Sequence, residues 1–363
     1  MRKIIGNILS LMISLTICFF VIEIALRIFA PQITVCKINY DWRKDDDVLP
    51  YVPKLEYKGR MVLKDQFDVV LTTNSDGFRG NKDFAKEKIQ ETKRIAFIGD
   101  SFTFGWGVED EEAFAAILGN KLKTKSKDVE ALNAAVYGYD IVQYSEMFNR
   151  VLEYNPDIIF LGFCLENDFN ITPLKSGVDS KESIRVERTK ISSRIRSFIN
   201  NLHIVAMVRD RLYITFPKIR NLMLSLGINN KRDIFLKKYP GMLTLSLKET
   251  ERRLDEMKRI CQLRGIRFVV ILIPLKEQIY CRDEINKFLE YDIDKPNRVM
   301  ENILERRGIE YIDLLPYLVE EGKRSDNRLY FDTDPHWTAY GHDKVAKILY
   351  DIAIKRGYLS TNE

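Results

Sequence analysis

Five short, largely apolar runs constrain this chain more than any other feature. They read RIAFIG at 94–99, VEALN at 129–133, DIIFLGF at 157–163, IRFVVILI at 266–273 and IEYIDL at 309–314. Each is short and carries the β-branched, aromatic or aliphatic side chains of a buried strand. Helical apolar spacing fills the gaps at 111–124, 141–154, 246–264, 284–307 and 338–356. A strand that is apolar on both faces needs cover on both, and alternation with helices supplies it. The expected fold is therefore α/β, a three-layer sandwich with a central parallel five-stranded sheet. Ligands in such sheets bind beyond the carboxyl ends of the strands, which singles out the loops after each run.

The N-terminus follows a different rule. Residues 4–22 read IIGNILSLMISLTICFFVI without a charge. At ~1.5 Å per residue this run approaches the ~30 Å hydrocarbon core of a bilayer. Arg2 and Lys3 favour a cytoplasmic N-terminus. Lys37, Arg43 and Lys44 oppose that orientation, beside Asp45, Asp46 and Asp47. Glu23 and Arg27, four apart, are placed to pair on one helix face. The run is longer than a signal-peptide core and no small-x-small site closes it, so an uncleaved signal-anchor is favoured over a cleaved signal peptide. The expected organisation is a single-pass anchor at 1–30, a juxtamembrane and N-terminal decoration at 31–90, and an extracytoplasmic catalytic domain at 91–358. Within the decoration, Asn74-Ser75-Asp76-Gly77 is turn chemistry.

Charge and rare residues narrow the function. A net charge of +5 over 57 basic and 52 acidic residues is too mild for a nucleic-acid binder. It also hides an asymmetry: residues 179–238 carry 14 Lys/Arg against 5 Asp/Glu. Apolar residues recur there at helical spacing, including Ile191, Ile195, Phe198, Ile199, Leu202 and Val205. This basic insertion, at about 171–243, is read either as a solvated helical addition or as a cap for anionic lipid or an anionic polymer. Five Cys without a CxxC spacing give no zinc ribbon, redox motif or disulfide framework; a Cys261–Cys281 pair is left open. Cys164 reads as a small buried hydrophobe. With only three His, a His-dependent catalyst must use His203, His336 or His342. Neither a metal nor a cofactor is expected.

The post-strand loops hold the chemistry. The first reads Gly99-Asp100-Ser101-Phe102-Thr103-Phe104-Gly105, with a Ser between a buried strand and a helix start. The second, from Asn133 to Tyr139, contains Gly138, where the backbone can approach a substrate closely. The third contains Glu166-Asn167-Asp168, whose amide can donate to a developing oxyanion. Near the C-terminus, Asp332-Thr333-Asp334-Pro335-His336-Trp337 places acids beside a His. An acid bonded to one imidazole nitrogen leaves the other to take a proton from Ser. Together these loops supply a nucleophile, a base, an orienting acid and oxyanion donors, the set needed for acyl transfer.

These blocks resemble the SGNH (GDSL-type) hydrolases, in order, over roughly residues 92–170 and 244–356. The resemblance implies Ser101 as nucleophile, His336 as base and Asp334 as acid. It implies an oxyanion hole from the Ser101 and Gly138 N–H groups and the Asn167 side chain. The common last block of the family is D-x-x-H, which would put the acid at Thr333; here the order is D-x-H followed by Trp. That spacing is closer to membrane-associated and polysaccharide-acetylating branches, so Asp334 is chosen over Asp332. Leu165 stands where the family often has Gly. The segment NSDGFRG at 74–80 is similar to one in anchored bacterial members, which implies a bacterial cell envelope.

The expected function is a serine esterase acting on O-acyl esters, foremost O-acetyl, of an envelope glycan. Trp106 and Trp337 flank the predicted Ser and His and are read as sugar-stacking residues, with core packing as the alternative. Rival functions are an O-acyltransferase with the same triad, a catalytically silent glycan-binding or assembly subunit, and a lipid esterase. His342, inside the last helix, is read as structural, and His203 belongs to the insertion.

Overall fold

The computed structural model describes residues 2–29, 40–63, 65–88, 92–123, 128–165, 202, 204, 205, 207 and 231–358. The chain forms two compact units, one from Met1–Lys37 with Glu182–Lys231, the other from Ile38–Lys181 with Arg232–Glu363. The first contains helix α1, Arg2–Phe29. Its most apolar stretch is Leu9–Phe29, with a mean hydropathy of 2.4, long enough to cross a membrane. That window lies further along the chain than the expected 4–22 and takes in Glu23 and Arg27. These two pair as the spacing predicts, Arg27 Nε donating to Glu23 Oε1 at 2.8 Å. The other carboxylate oxygen of Glu23 accepts from Ile204 N at 2.9 Å. Most of the basic insertion, with His203, lies outside the described residues.

The second unit is built on five parallel strands, β5 (Lys93–Gly99), β6 (Val129–Asn133), β7 (Ile158–Cys164), β8 (Arg267–Ile273) and β9 (Glu310–Asp313). They lie in the order β6-β5-β7-β8-β9. All five expected strands are present, within a residue or so of their sequence bounds. Alternate residues face opposite sides: Ile95, Phe97, Val269 and Ile271 enter one apolar cluster, Ala96, Ile98, Val270 and Leu272 the other. The first cluster is closed by α3 (Phe114–Leu122), α9 (Leu315–Arg324) and α10 (Ala339–Lys355). The second is closed by α4 (Ile141–Leu152), α5 (Gly241–Arg264) and α8 (Lys295–Arg307). This is the three-layer sandwich, and the period of two along each strand produces it.

Two local features differ from the sequence reading. The helix expected over 284–307 is broken: α7 (Arg282–Asn286) ends early and α8 restarts at Lys295. Pro296 lies in the first turn of α8, where its missing N–H costs nothing; further inside it would break the ladder. Residues 58–72 form an antiparallel hairpin, β3 (Lys58–Leu63) with β4 (Phe67–Thr72), and Asp65 takes the left-handed conformation in its turn. Described residues of 31–90 pack on the sheet. Trp42, Leu49, Phe78 and Phe84 are buried in the same apolar cluster as the sheet. Cys261 and Cys281 are not joined in a disulfide, so the pair left open does not form.

Candidate active site

The connections from β5 to β6 and from β6 to β7 run in opposite directions across the sheet, and at such switch points α/β sheets place their ligands beyond the strand ends. Ser101 stands there. It begins the four-residue helix α2 (Ser101–Phe104), which Asp100 caps by accepting from Phe102 N at 2.9 Å. Gly105 ends the turn in the left-handed conformation at φ 85°. Seating this turn needs bare strands beneath it. Gly99 and Gly162 are register partners on β5 and β7, and a Cβ on either would stand 2.4 or 2.0 Å from Thr103 Oγ1.

The C-terminal loop brings the expected base to this Ser. His336 Nε2 lies 2.7 Å from Ser101 Oγ, and Nδ1 lies 2.5 Å from Asp334 Oδ1. The same carboxylate oxygen accepts from the His336 backbone N–H at 2.9 Å. Asp332 points away: its side chain is 66% exposed and pairs with Arg328 at 3.2 Å. The loop is pinned from both sides. Phe331 N donates to His336 O at 3.0 Å, and Tyr330 Oη donates to Pro274 O at 2.8 Å. Lys276 Nζ donates to the carbonyls of Phe331 and Asp332, each at 2.6 Å. The side chains of Ser101, His336 and Asp334 are all buried, Ser101 at 2% exposure.

Residues 97–344 match the GDSL-like lipase/acylhydrolase family, which covers more than half of the chain. The protein belongs to this family. It is an SGNH-type hydrolase acting on esters. Among solved structures, esterase EstA from Pseudoalteromonas sp. is 13% identical, with 74% of this chain and 100% of that chain covered at a TM-score of 0.40. The acetylxylan esterase Axe2 from Geobacillus stearothermophilus is 13% identical, covering 73% and 95% at a TM-score of 0.41. The acetyl xylan esterase AlAXEase is 17% identical, covering 71% and 98% at 0.39. No curated protein matches.

The other expected site residues of this GDSL-family hydrolase fall differently. Gly138 is exposed in the turn before α4 and has φ 77°, a conformation that favours glycine. Asn167 lies outside the described residues. Trp106 and Trp337 are 1% and 0% exposed, so the alternative of core packing holds and neither indole face is open to a sugar ring. Trp337 packs edge-on against Phe102, Phe114 and Tyr330, with ring centres 4.9, 6.1 and 6.3 Å away. Phe102 and Tyr137 flank the imidazole of His336 at 4.9 and 5.9 Å. Among the described residues no cluster of His, Cys, Asp and Glu is suited to a metal.

Sequence reasoning missed how the segment NSDGFRG serves the site. Arg79 is buried beneath α2, ion-paired to Asp110 and donating to Val108 O at 2.8 Å. Its backbone N–H donates to Asn133 O at 3.0 Å, and Asn133 Nδ2 donates to Thr103 O at 2.9 Å. The segment thereby braces the helix that carries Ser101. The turn chemistry of Asn74 to Gly77 was the available signal in the residues themselves; the long-range partners are invisible in sequence.

His342 is fully buried behind Trp337, and its Nδ1 accepts from Phe114 N at 3.3 Å. Burial pushes its pKa down to about 3 from 6.5. The folded protein therefore keeps this ring neutral at pH values where the unfolded chain protonates it. Stability from this group is full above about pH 6.5 and falls by roughly 1.4 kcal/mol per pH unit below it, until the folded pKa is reached. Comparing urea unfolding of wild type and His342→Gln at pH 7 and 5, the wild type should lose roughly 2 kcal/mol more than the variant.

Proposed function

We propose that this protein is a membrane-anchored serine esterase that removes short O-acyl groups, foremost acetyl, from an envelope glycan. The observation that carries the reading is the unbroken contact chain from Ser101 Oγ through His336 to Asp334. Ser101 Oγ attacks the ester carbonyl carbon while His336 Nε2 takes its proton. Asp334 holds the Nδ1–H and stabilises the imidazolium. The tetrahedral oxyanion is held by the Ser101 and Gly138 N–H groups and by the Asn167 amide. His336 then protonates the leaving oxygen, and water enters by the same route to free Ser101.

Phe102 and Trp106, packed beside His336 with ring centres 4.9 and 6.3 Å away, support a short acyl group. Arg2 and Lys3 ahead of an apolar helix of membrane-spanning length support an anchor with the catalytic unit outside the cytoplasm. Transfer to a glycan hydroxyl would use the same acyl-enzyme, so product analysis with a glycan acceptor separates it from hydrolysis. A serine-directed fluorophosphonate should label the full chain in detergent, and Ser101→Ala should abolish labelling. Acetyl esters should be cleaved faster than long-chain esters. A folded wild type that neither reacts with the probe nor cleaves any ester would sink the proposal in favour of a binding subunit.

A further inference from the structure

One cation near the triad is held by rings and not by an acid. The guanidinium of Arg43 lies 3.8 Å from the ring centres of both Tyr40 and Tyr51. Trp42 at 4.9 Å and Tyr137 at 5.4 Å complete the box. Among the described residues no carboxylate pairs with Arg43, and its Nε is buried without a hydrogen-bond partner. The buried Arg79 and Arg94 differ, each meeting an acid, Asp110 and Glu130 respectively. Aromatic faces hold a guanidinium from above and below its plane, and apart from the N–H bonded to the Tyr51 hydroxyl they leave in-plane N–H groups for a ligand. That fork matches the two oxygens of a carboxylate or phosphate.

The box adjoins the catalytic centre. The ring of Tyr137 lies 5.9 Å from that of His336 and 4.5 Å from that of Trp106. Tyr51 Oη donates to Tyr137 O at 2.6 Å, tying the two walls together. Arg43 Nη2 lies 3.9 Å from where a Cβ on Gly138 would stand. Gly138 is exposed and Tyr40 is 37% exposed, so the box opens to solvent.

We propose that Arg43, framed by Tyr40, Tyr51 and Tyr137, is a subsite for an anionic substituent on the alcohol part of the ester. A carboxylate or a phosphate supplies the required oxyanion. The alcohol side follows from Tyr137: it links Arg43 to His336, and His336 hands its proton to the leaving oxygen. This inference rests on the esterase reading above.

The test measures kcat/KM of the full chain in detergent for phenyl acetate, para-acetoxybenzoate and para-acetoxyphenyl phosphate, each corrected for its alkaline hydrolysis rate. Wild type should prefer at least one anionic ester, and high salt should erode that preference. The favoured ester tells carboxylate from phosphate. Arg43→Gln should lower the anionic-to-neutral ratio about tenfold, and Arg43→Lys should retain part of it. The salt series and Arg43→Lys carry the test should Arg43→Gln not fold. A ratio unchanged in the variants, or no salt-sensitive preference in wild type, overturns the subsite while phenyl acetate cleavage leaves the esterase reading standing. No cleavage of any ester, with no fluorophosphonate labelling of Ser101, overturns both.

Discussion

Asp334→Asn is expected to lower kcat/KM by roughly a thousandfold to ten-thousandfold, whereas Asp332→Asn should change it by less than about twofold. The two acids lie two residues apart and are chemically identical in sequence. Asp334 Oδ1 sits 2.5 Å from His336 Nδ1, so the amide of Asn would present an N–H or a neutral oxygen where a carboxylate fixes the tautomer. The imidazolium formed during attack would also lose its counter-charge. Asp332 is exposed and paired to Arg328, where the ion pair contributes little. Steady-state kinetics on a short acetyl ester, with fluorophosphonate labelling rates as a second readout, checks the pair. Equal losses in both variants would remove Asp334 from its assigned role.

Trp337→Ala is expected to cost about 3–5 kcal/mol of folding stability. The indole is fully buried between the helix that carries Ser101 and the last two helices' apolar cluster. It follows His336 directly, so the vacated volume would loosen the loop that presents the base. Urea denaturation measures the loss; Trp337→Phe, which leaves a smaller void, should cost less. A fully stable Trp337→Ala whose only defect was weaker glycan binding would restore the stacking role that burial argues against.

The architecture was legible because its signals are local and repeated. Five buried strands show as apolar runs, and the helices between them show as 3.6-residue spacing. Where a local signal was ambiguous the reading slipped. Lys287 to Asp294 carries enough apolar residues to extend a helical pattern, and only Pro296 hinted at a restart. The β3–β4 hairpin has a Lys-Asp-Gln connection without Gly, so no turn signal separated its strands. The triad was legible in part: a Ser after a strand and an acid-linked His are patterns of residue type and order.

The sequence by itself determined the parallel sheet, the loops that carry chemistry, and the membrane-length helix, since each depends on neighbours within about twenty residues. Tertiary structure alone decided that both tryptophans lie in the core and that Arg79 braces the Ser101 helix. It also decided that Arg43 is ringed by Tyr40, Tyr51 and Tyr137. These are contacts between residues up to 235 positions apart, as with Ser101 and His336. A side chain's burial and partners are set by whatever the fold brings against it, and no spacing along the chain encodes that directly.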